Sequence, residues 1–442
     1  MSRPQAHEIP PLAGGASSGY LAVKRLLDIG CALLLLALMF PAWMLLLSWQ
    51  AASGNAGAQA RGFAGRGGRL IRLRTLGLPQ WLLQASGGWL LALEYLPWCL
   101  ALLDGRLTLV GPRPVMPDEV EKMGGLAHPR FEAVPGMVCL WWLRVRSNID
   151  YGSESDADLE YLSQRSLRRD IAILARALIA LAYGPGASSC KAGQFISGIR
   201  LINLSMENLL DAIVSALDRQ ARTRIAFVNP DCVNIAARDQ AYRRTLDKFE
   251  WVCADGIGMK IAGSLLGQPV RQNLNGTDLF PRLCAALSHS GHSLFLLGAR
   301  PDVAKEAARW ALARYPELNI AGTRSGYFSS MEEDDVVAAI RASGADVLLV
   351  AMGAPRQEIW LERNLEATGA IVGMGVGGLF DFYSGRIARA PLWLREIGGE
   401  WIYRLVQEPG RMWRRYLVGN WIFLYRIIVE KLSGANMKGP VK

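Results

Sequence analysis

Residues 346–378 read DVLLVAMGAPRQEIWLERNLEATGAIVGMGVGG. An apolar run, 347–351, stops at a Gly-Ala-Pro turn. A segment with helical spacing opens at Arg356, Gln357 and Glu358, and a second apolar run, 371–376, closes on Gly377 and Gly378. Two short apolar runs joined through a helical segment are the pattern of a parallel β-α-β crossover, because parallel neighbours need a long connection. The polar residues gather where the first strand ends, which is where open α/β sheets hold ligands.

Outward from this stretch the same alternation fills the second half of the chain. Strands are expected at 200–204, 224–228, 251–254, 293–297, 320–324, 347–351 and 371–376, with helical spacing over 207–218, 302–314 and 332–342. The pattern predicts an α/β fold, a mostly parallel Rossmann-like sheet over 197–390 with helices on both faces. Most of the strands end in Gly, Asn or Asp: Asn229-Pro-Asp231, Asp255-Gly-Ile-Gly258, Asn275-Gly-Thr277-Asp278, Gly298-Ala-Arg300, Gly353 to Glu358 and Gly375-Val-Gly377. Glycine turns at these ends let backbone N–H groups approach a phosphate, which suggests a nucleotide site. No G-x-G-x-x-G follows the first strand and no G-x-x-x-x-G-K-[ST] occurs, which disfavours dinucleotide oxidoreduction and P-loop chemistry.

The 442 residues are enough for two or three domains. Hydrophobic residues make up 51%, net charge is +10, and there are 14 Trp. A basic, apolar, Trp-rich chain points to lipid headgroups or phosphorylated substrates, and the mixture of basic and interfacial aromatic residues argues against a nucleic-acid partner. Seven scattered Cys without C-x-x-C, and four His, suggest neither a disulfide framework nor a metal site. No metal or cofactor is expected.

The first half reads as a membrane-associated, mainly helical domain over 20–184, after a Pro/Gly/Ser-rich start. Lys24 and Arg25 precede an apolar run, and no charged residue falls between Ile29 and Ala60. That length can cross a bilayer with basic residues on the cytoplasmic side. Pro41 sits inside the run, so either a kinked spanning helix or a re-entrant hairpin is expected. Residues 52–70 read as a Gly/Arg-rich linker, 81–103 as an interfacial stretch, Asp156-Ala-Asp158 as solvated coil, and 184–193 as a second linker.

KRLLDI (24–29), TLVGPRP (108–114), PGM (135–137) and YLSQRSLRRDIAIL (161–174) together resemble the bacterial monotopic phosphoglycosyl transferases over residues 20–184. Those enzymes attack with the Asp of a Leu-Asp-Glu-Leu-Pro motif, beside a Glu that stands next to a metal ion. Here the aligned stretch is LEYLP (93–97), with Glu94 in place of the nucleophile and Tyr95 in place of the Glu. An extra methylene displaces a nucleophile by about an ångström, which costs on the order of 100-fold. Losing the second carboxylate removes a hard oxygen ligand for a divalent cation. The domain is therefore expected to be inactive, retained as an anchor. Arg113 would contact phosphate in a working member and is otherwise a turn residue on a basic surface.

The second half carries Asn229-Pro-Asp231, Asp255-Gly-Ile-Gly258, Gly276-Thr277-Asp278, Ala354-Pro355-Arg-Gln357-Glu358, Val376-Gly377-Gly-Leu-Phe-Asp381, Arg389-Ala-Pro391 and Glu400-Trp-Ile-Tyr-Arg404 through Arg411. Together these resemble the WecG/TagA/CpsF glycosyltransferases over residues 197–428. The resemblance implies a metal-independent, inverting transfer of a sugar from a UDP-sugar donor to a polyprenyl-diphosphate-linked (undecaprenyl) sugar acceptor. It places the chain in exopolysaccharide or capsule synthesis at the cytoplasmic face of the inner membrane. Inversion needs a general base and donors for the leaving diphosphate. Asp255 is the candidate base, with a helix cap as its structural alternative. Candidate binding residues are Asn229, Asn273, Thr277, Asp278, Gly298, Arg300, Gly353, Pro355, Gln357, Glu358, Gly375, Gly377, Asp381, Arg404 and Arg411. Two positions depart from the family pattern, Phe227 for a Thr and Asn273 for an Arg, with Arg271 nearby. The donor is accordingly left as an N-acetylmannosamine-type sugar, a hexose or a uronic acid.

Residues 391–431 interleave Trp and Tyr with Arg, and Arg404, Arg411 and Arg415 would share one face of a continuous helix. Such a segment suits a lipid surface or closure over a diphosphate. Two alternatives stand beside this reading: a bifunctional enzyme whose Glu94 also transfers a phosphosugar, and a non-catalytic scaffold of an assembly complex. A homo-oligomer is compatible with either half.

Overall fold

The computed structural model describes residues 17–53, 58–76, 91–147, 153–181 and 193–433. Most of the loose N-terminus, the first part of the 81–103 stretch and nearly all of the 184–193 linker lie outside the described residues. The chain forms two compact units, 1–185 and 186–442.

The first unit begins with α1 (Ser18–Ser53), one continuous helix that runs through Pro41. The helix continues past Pro41, the position where a kink or a return was expected. Within Ser18–Leu45 an 18-residue window reaches a mean hydropathy of 2.1, so the helix is long and apolar enough to cross a membrane. Its polar residues fix its N-terminal part to the rest of the unit. Asp28 is buried and accepts from Thr108 Oγ1 at 2.7 Å and from the Leu109 N–H at 2.8 Å. Lys24 pairs with Asp170 at 2.6 Å and donates to the Val110 carbonyl at 2.8 Å, and Arg25 donates to the carbonyls of Leu102 and Leu103. The KRLLD run is therefore a clamp between helix and domain.

Residues expected to be a linker instead form β1 (Ala58–Ala64), antiparallel to β2 (Leu70–Leu76). Gly67 and Gly68, both at positive φ, make the turn, and Ile71, Leu73 and Leu76 are buried. The interfacial reading of 81–103 also changes. In α2 (Trp98–Leu103) the side chains of Trp98, Cys99, Ala101 and Leu102 are buried. A parallel pair, β3 (Thr108–Val110) and β4 (Gly136–Val138), lies at the centre of the unit. Three helices follow, α3 (Leu140–Ser147), α4 (Glu154–Ser163) and α5 (Leu167–Leu181). Asp156 and Asp158 are not coil. Asp156 caps α4 through Ser153, and Asp158 is buried against Arg130 at 2.7 Å. Burial pushes the Asp158 carboxyl up to about 7, with Arg130 opposing.

The second unit is built on one eight-stranded sheet. In chain order its elements are β5 (Gly193–Ile196), β6 (Ile199–Ile202), α6 (Met206–Asp218), β7 (Thr223–Val228), α7 (Pro230–Ala236), α8 (Gln240–Asp247), β8 (Trp251–Ala254), α9 (Ile257–Leu265), α10 (Gly276–Ser290), β9 (Ser293–Gly298), α11 (Val303–Arg314), β10 (Asn319–Arg324), α12 (Glu333–Ser343), β11 (Val347–Ala351), α13 (Arg356–Thr368), β12 (Val372–Gly375), α14 (Leu379–Tyr383), α15 (Glu400–Gln407) and α16 (Gly419–Ser433). The strand order is β10-β9-β11-β12-β7-β8-β6-β5, parallel except for the β5–β6 hairpin at one edge.

Alternation along β11 shows how the sheet is filled. Val347, Leu349 and Ala351 enter the core beneath α6, α10 and α11, whereas Leu348 and Val350 enter the core beneath α7, α8, α9, α12 and α13. The quoted stretch is the predicted crossover: β11 pairs with β12 from Val347↔Val372 to Val350↔Gly375. After β8 the chain crosses back over β7, β12 and β11 to start β9, so the order reverses between β7 and β12. Their carboxyl ends flank the crevice where such sheets bind ligands.

The segment 391–431 is not a separate piece in the structure. Phe423 and Ile427 of α16 are buried in the sheet domain's core. The continuous helix expected across 404–415 is also broken. Glu408 leaves helical geometry ahead of Pro409, which disfavours the helical conformation in the residue before it. Arg404 and Arg411 instead turn towards Glu408, at 3.7 and 3.4 Å.

Candidate active site

Asp255 follows β8, and its N–H pairs with the Val228 carbonyl of β7. It does not cap the next helix. Gly256, at φ +88°, takes the N-cap position of α9 and its N–H donates to Asn273 Oδ1 at 2.5 Å. The Asp255 carboxylate is left half-buried and receives a hydrogen bond from the Asn229 side chain. Asn229 is positioned by its other role: its oxygen caps α7, accepting from the N–H groups of Asp231 and Cys232.

Burial raises the Asp255 carboxyl, Arg415 and the Asn229 bond pull it down, and the carboxylates of Glu400 and Asp278 push it up again, to about 6. That value suits a base working near neutrality. Arg415 also pairs with Asp231 at 3.3 Å. Asp278 is held from both sides, by Asn275 Nδ2 at 2.8 Å and by Arg389. Arg389 in turn reaches Glu400 at 3.4 Å. The charges of Arg415, Glu400 and Asp278 are thus the ones that act on Asp255. Arg415 was expected on a basic face suited to a diphosphate, whereas Arg389, Glu400 and Asp231 were not singled out as site residues from the sequence. Arg389 and Glu400 lie inside motifs already quoted, and their ionisable side chains were the available signal.

Thr277 offers its carbonyl to the Tyr383 hydroxyl at 2.6 Å. Gly276 sits against Val376, so the start of α10 meets the turn after β12. Arg404 packs on Gly378 and over the Phe382 ring at 5.0 Å. Asp381 is buried and pairs with Arg386 at 3.0 Å.

Gln357 differs from its expected placement facing a ligand. It is buried, with Oε1 accepting from the N–H groups of Gly353 at 3.1 Å and Gly377 at 2.9 Å. Its Nε2 donates to Glu358 Oε1 at 2.7 Å. Gly375 lies against the same side chain, and Pro355 takes the N-cap position of α13. Glu358 has no exposed surface, and burial pushes its carboxyl up to about 7. Gly298, at φ +141°, lies so close to the Ala351 carbonyl that a side chain there would collide. Arg300 is exposed beyond it and Arg411 is largely exposed.

In the first unit, Glu94 closes a short helix (Leu91–Glu94), and Tyr95 lies edge-on to Trp98 with centroids 5.0 Å apart. Arg113 is bound by Glu154 at 2.6 Å and Glu119 at 2.9 Å. It is neither an open turn residue nor a free cation.

The second unit is a Rossmann-like α/β domain with a half-buried carboxylate at the end of β8, next to the strand where the order reverses. Residues 194–437 match the glycosyl transferase WecG/TagA/CpsF family, and the chain belongs to it; it is a glycosyltransferase. Residues 87–184 match the bacterial sugar transferase family. An N-acetylglucosaminyldiphosphoundecaprenol N-acetyl-beta-D-mannosaminyltransferase of Staphylococcus aureus (strain MW2) is 33% identical over 240 residues, 53% of this chain and 92% of that protein. The enzyme of the same name from Bacillus subtilis (strain 168) is 30% identical over 223 residues, 50% of this chain and 86% of that protein.

Proposed function

We propose that the chain transfers a sugar, with inversion, from a UDP-sugar to an undecaprenyl-diphosphate-linked sugar, with Asp255 as general base. The observation that carries this reading is the Asp255 carboxylate itself, half-buried at the crevice, held by Asn229 and raised to about 6. At neutral pH it is largely ionised yet basic enough to take a proton from an acceptor hydroxyl. The proton leaves the hydroxyl as its oxygen attacks the anomeric carbon, and the bond to the nucleoside diphosphate breaks on the opposite face. Arginines at the crevice, Arg404 and Arg415 first among them, would balance charge on the departing diphosphate. The names of the relatives support an N-acetylmannosamine-type donor and an acceptor carrying N-acetylglucosamine. Phe227, buried in β7, and Asn273, committed to Gly256, leave a hexose or uronic acid as competing donors.

The first unit serves as a membrane anchor at the cytoplasmic face of the inner membrane. Its apolar α1 and the neutralisation of Arg113 by two carboxylates support an anchoring rather than a phosphosugar-transferring role. A panel of radiolabelled UDP-sugars, offered with undecaprenyl-diphosphate-linked N-acetylglucosamine or with bare undecaprenyl phosphate, separates the readings. Label on the diphosphate-linked acceptor alone supports the proposal. Label on bare undecaprenyl phosphate would make the chain bifunctional, and no label with any donor would make it a scaffold.

A further inference from the structure

Two turns at the crevice are tied by one side chain. Gly353, at φ +79°, follows β11, and Gly377, at φ +58°, follows β12. Both N–H groups point at the single oxygen Gln357 Oε1. A primary amide has a donor end and an acceptor end, and only one orientation suits this place. Turned over, its NH2 would face two N–H donors and its oxygen would face the Glu358 carboxyl. Glu358 Oε1 holds the other end of the amide in that orientation, accepting from Gln357 Nε2 at 2.7 Å in a fully buried setting.

We propose that Glu358 is a positioning residue: it fixes the amide of Gln357, and through it the two glycine turns that frame the site. Three features support this. Glu358 is completely buried, and Oε2 makes no hydrogen bond, so apart from its own backbone N–H the carboxyl's hydrogen-bond link to the fold is the one through Oε1 to Gln357. The groups that face it from other elements, the Cys232 thiol of α7 and the Tyr242 hydroxyl of α8, are neutral in the working pH range because burial pushes both up. Finally, β11 and β12 are neighbours in the sheet, so one side chain bonded to the turns after both holds those two turns relative to each other. The consequence for catalysis rests on the proposed glycosyl transfer; the tie itself does not.

Hydrogen–deuterium exchange of the full-length, detergent-solubilised protein tests the tie. Glu358→Leu removes the acceptor at similar volume, and the Gly353 and Gly377 amides should exchange on the order of tenfold faster. Glu358→Gln keeps an acceptor and should retain their protection. Glu358→Asp, the milder change if the Leu variant does not fold, withdraws the acceptor by one methylene and should lose protection partially at the same two amides. In a Gln357→Leu background, Glu358→Leu should add nothing at those amides. Unchanged exchange in the Leu and Asp variants, or loss of protection in the Gln variant equal to that in the Leu variant, overturns the proposal. A parallel kinetic measurement separates the two readings. Faster exchange with a raised KM for the UDP-sugar supports both. Faster exchange with unchanged KM and kcat leaves the tie standing and removes these turns from the donor site.

Discussion

At the scale of single residues, the account turns on Asp255. Replacing it with Asn keeps shape and removes the base, so kcat should fall by about 10²–10⁴-fold with no loss of thermal stability. Activity of the unaltered protein should rise with pH as Asp255 loses its proton through about 6. Asn229→Ala removes a bond that pulls this carboxyl down, so the acidic limb of the pH profile should move upward. The same change removes the cap of α7 and should cost about 0.5–2 kcal/mol in chemical denaturation. Glu358 gives a prediction of opposite sign for stability. Its carboxyl is raised in the folded state, so the folded protein holds this proton more tightly than the unfolded chain. The stabilisation is complete below the ordinary carboxylate range and is lost as pH rises through about 7. Glu358→Gln should flatten that part of the stability profile.

What the sequence disclosed at this scale was residue type at strand ends. Asp255, Asn229 and Asp278 stand out as polar residues where strands stop. Their partners do not, because Asp278 and Arg389 are 111 positions apart and no spacing rule links them. Gln357 was legible as polar but not as buried. Only the fold shows that two backbone N–H groups converge on it.

Among elements, the β-α-β pattern of 346–378 was legible because both its periods are clean: apolar strands buried on two faces and a helix between them. Segments whose order depends on partners were not. The Gly-rich hairpin of β1 and β2 reads as a linker until Ile71, Leu73 and Leu76 find a core. The edge strand β5 gains its register only by pairing with β6. At the end of β9, Gly298→Ala should destabilise the sheet domain by at least about 1–3 kcal/mol, since a Cβ there would collide with the Ala351 carbonyl oxygen. The C-terminal segment gives a second test. Phe423 is buried in the core, so Phe423→Ala should cost about 3–5 kcal/mol, measured as a shift in the denaturant midpoint. A purely peripheral membrane segment would tolerate the change.

For the whole molecule, the two units match two sugar-transferase families, and one of them is proposed to be catalytic. The first unit's polar motif residues hold its own fold: Asp28 binds β3, Lys24 binds Asp170, and Arg113 is neutralised by Glu119 and Glu154. The second unit keeps a carboxylate at its crevice and a basic, aromatic C-terminus. Exposed Trp421 and Tyr425 on α16, with Arg411 and Trp413 ahead of it, suit contact with an anionic lipid surface. Binding to vesicles rich in anionic lipid should therefore weaken with salt and with Trp421→Ala. The central claim is tested most directly by incubating the purified full chain with radiolabelled UDP-N-acetylmannosamine, UDP-hexose or UDP-uronic acid and either undecaprenyl-diphosphate-linked N-acetylglucosamine or bare undecaprenyl phosphate. The account predicts label on the diphosphate-linked acceptor only, lost in Asp255→Asn. Label on bare undecaprenyl phosphate, or transfer that survives Asp255→Asn, would contradict it.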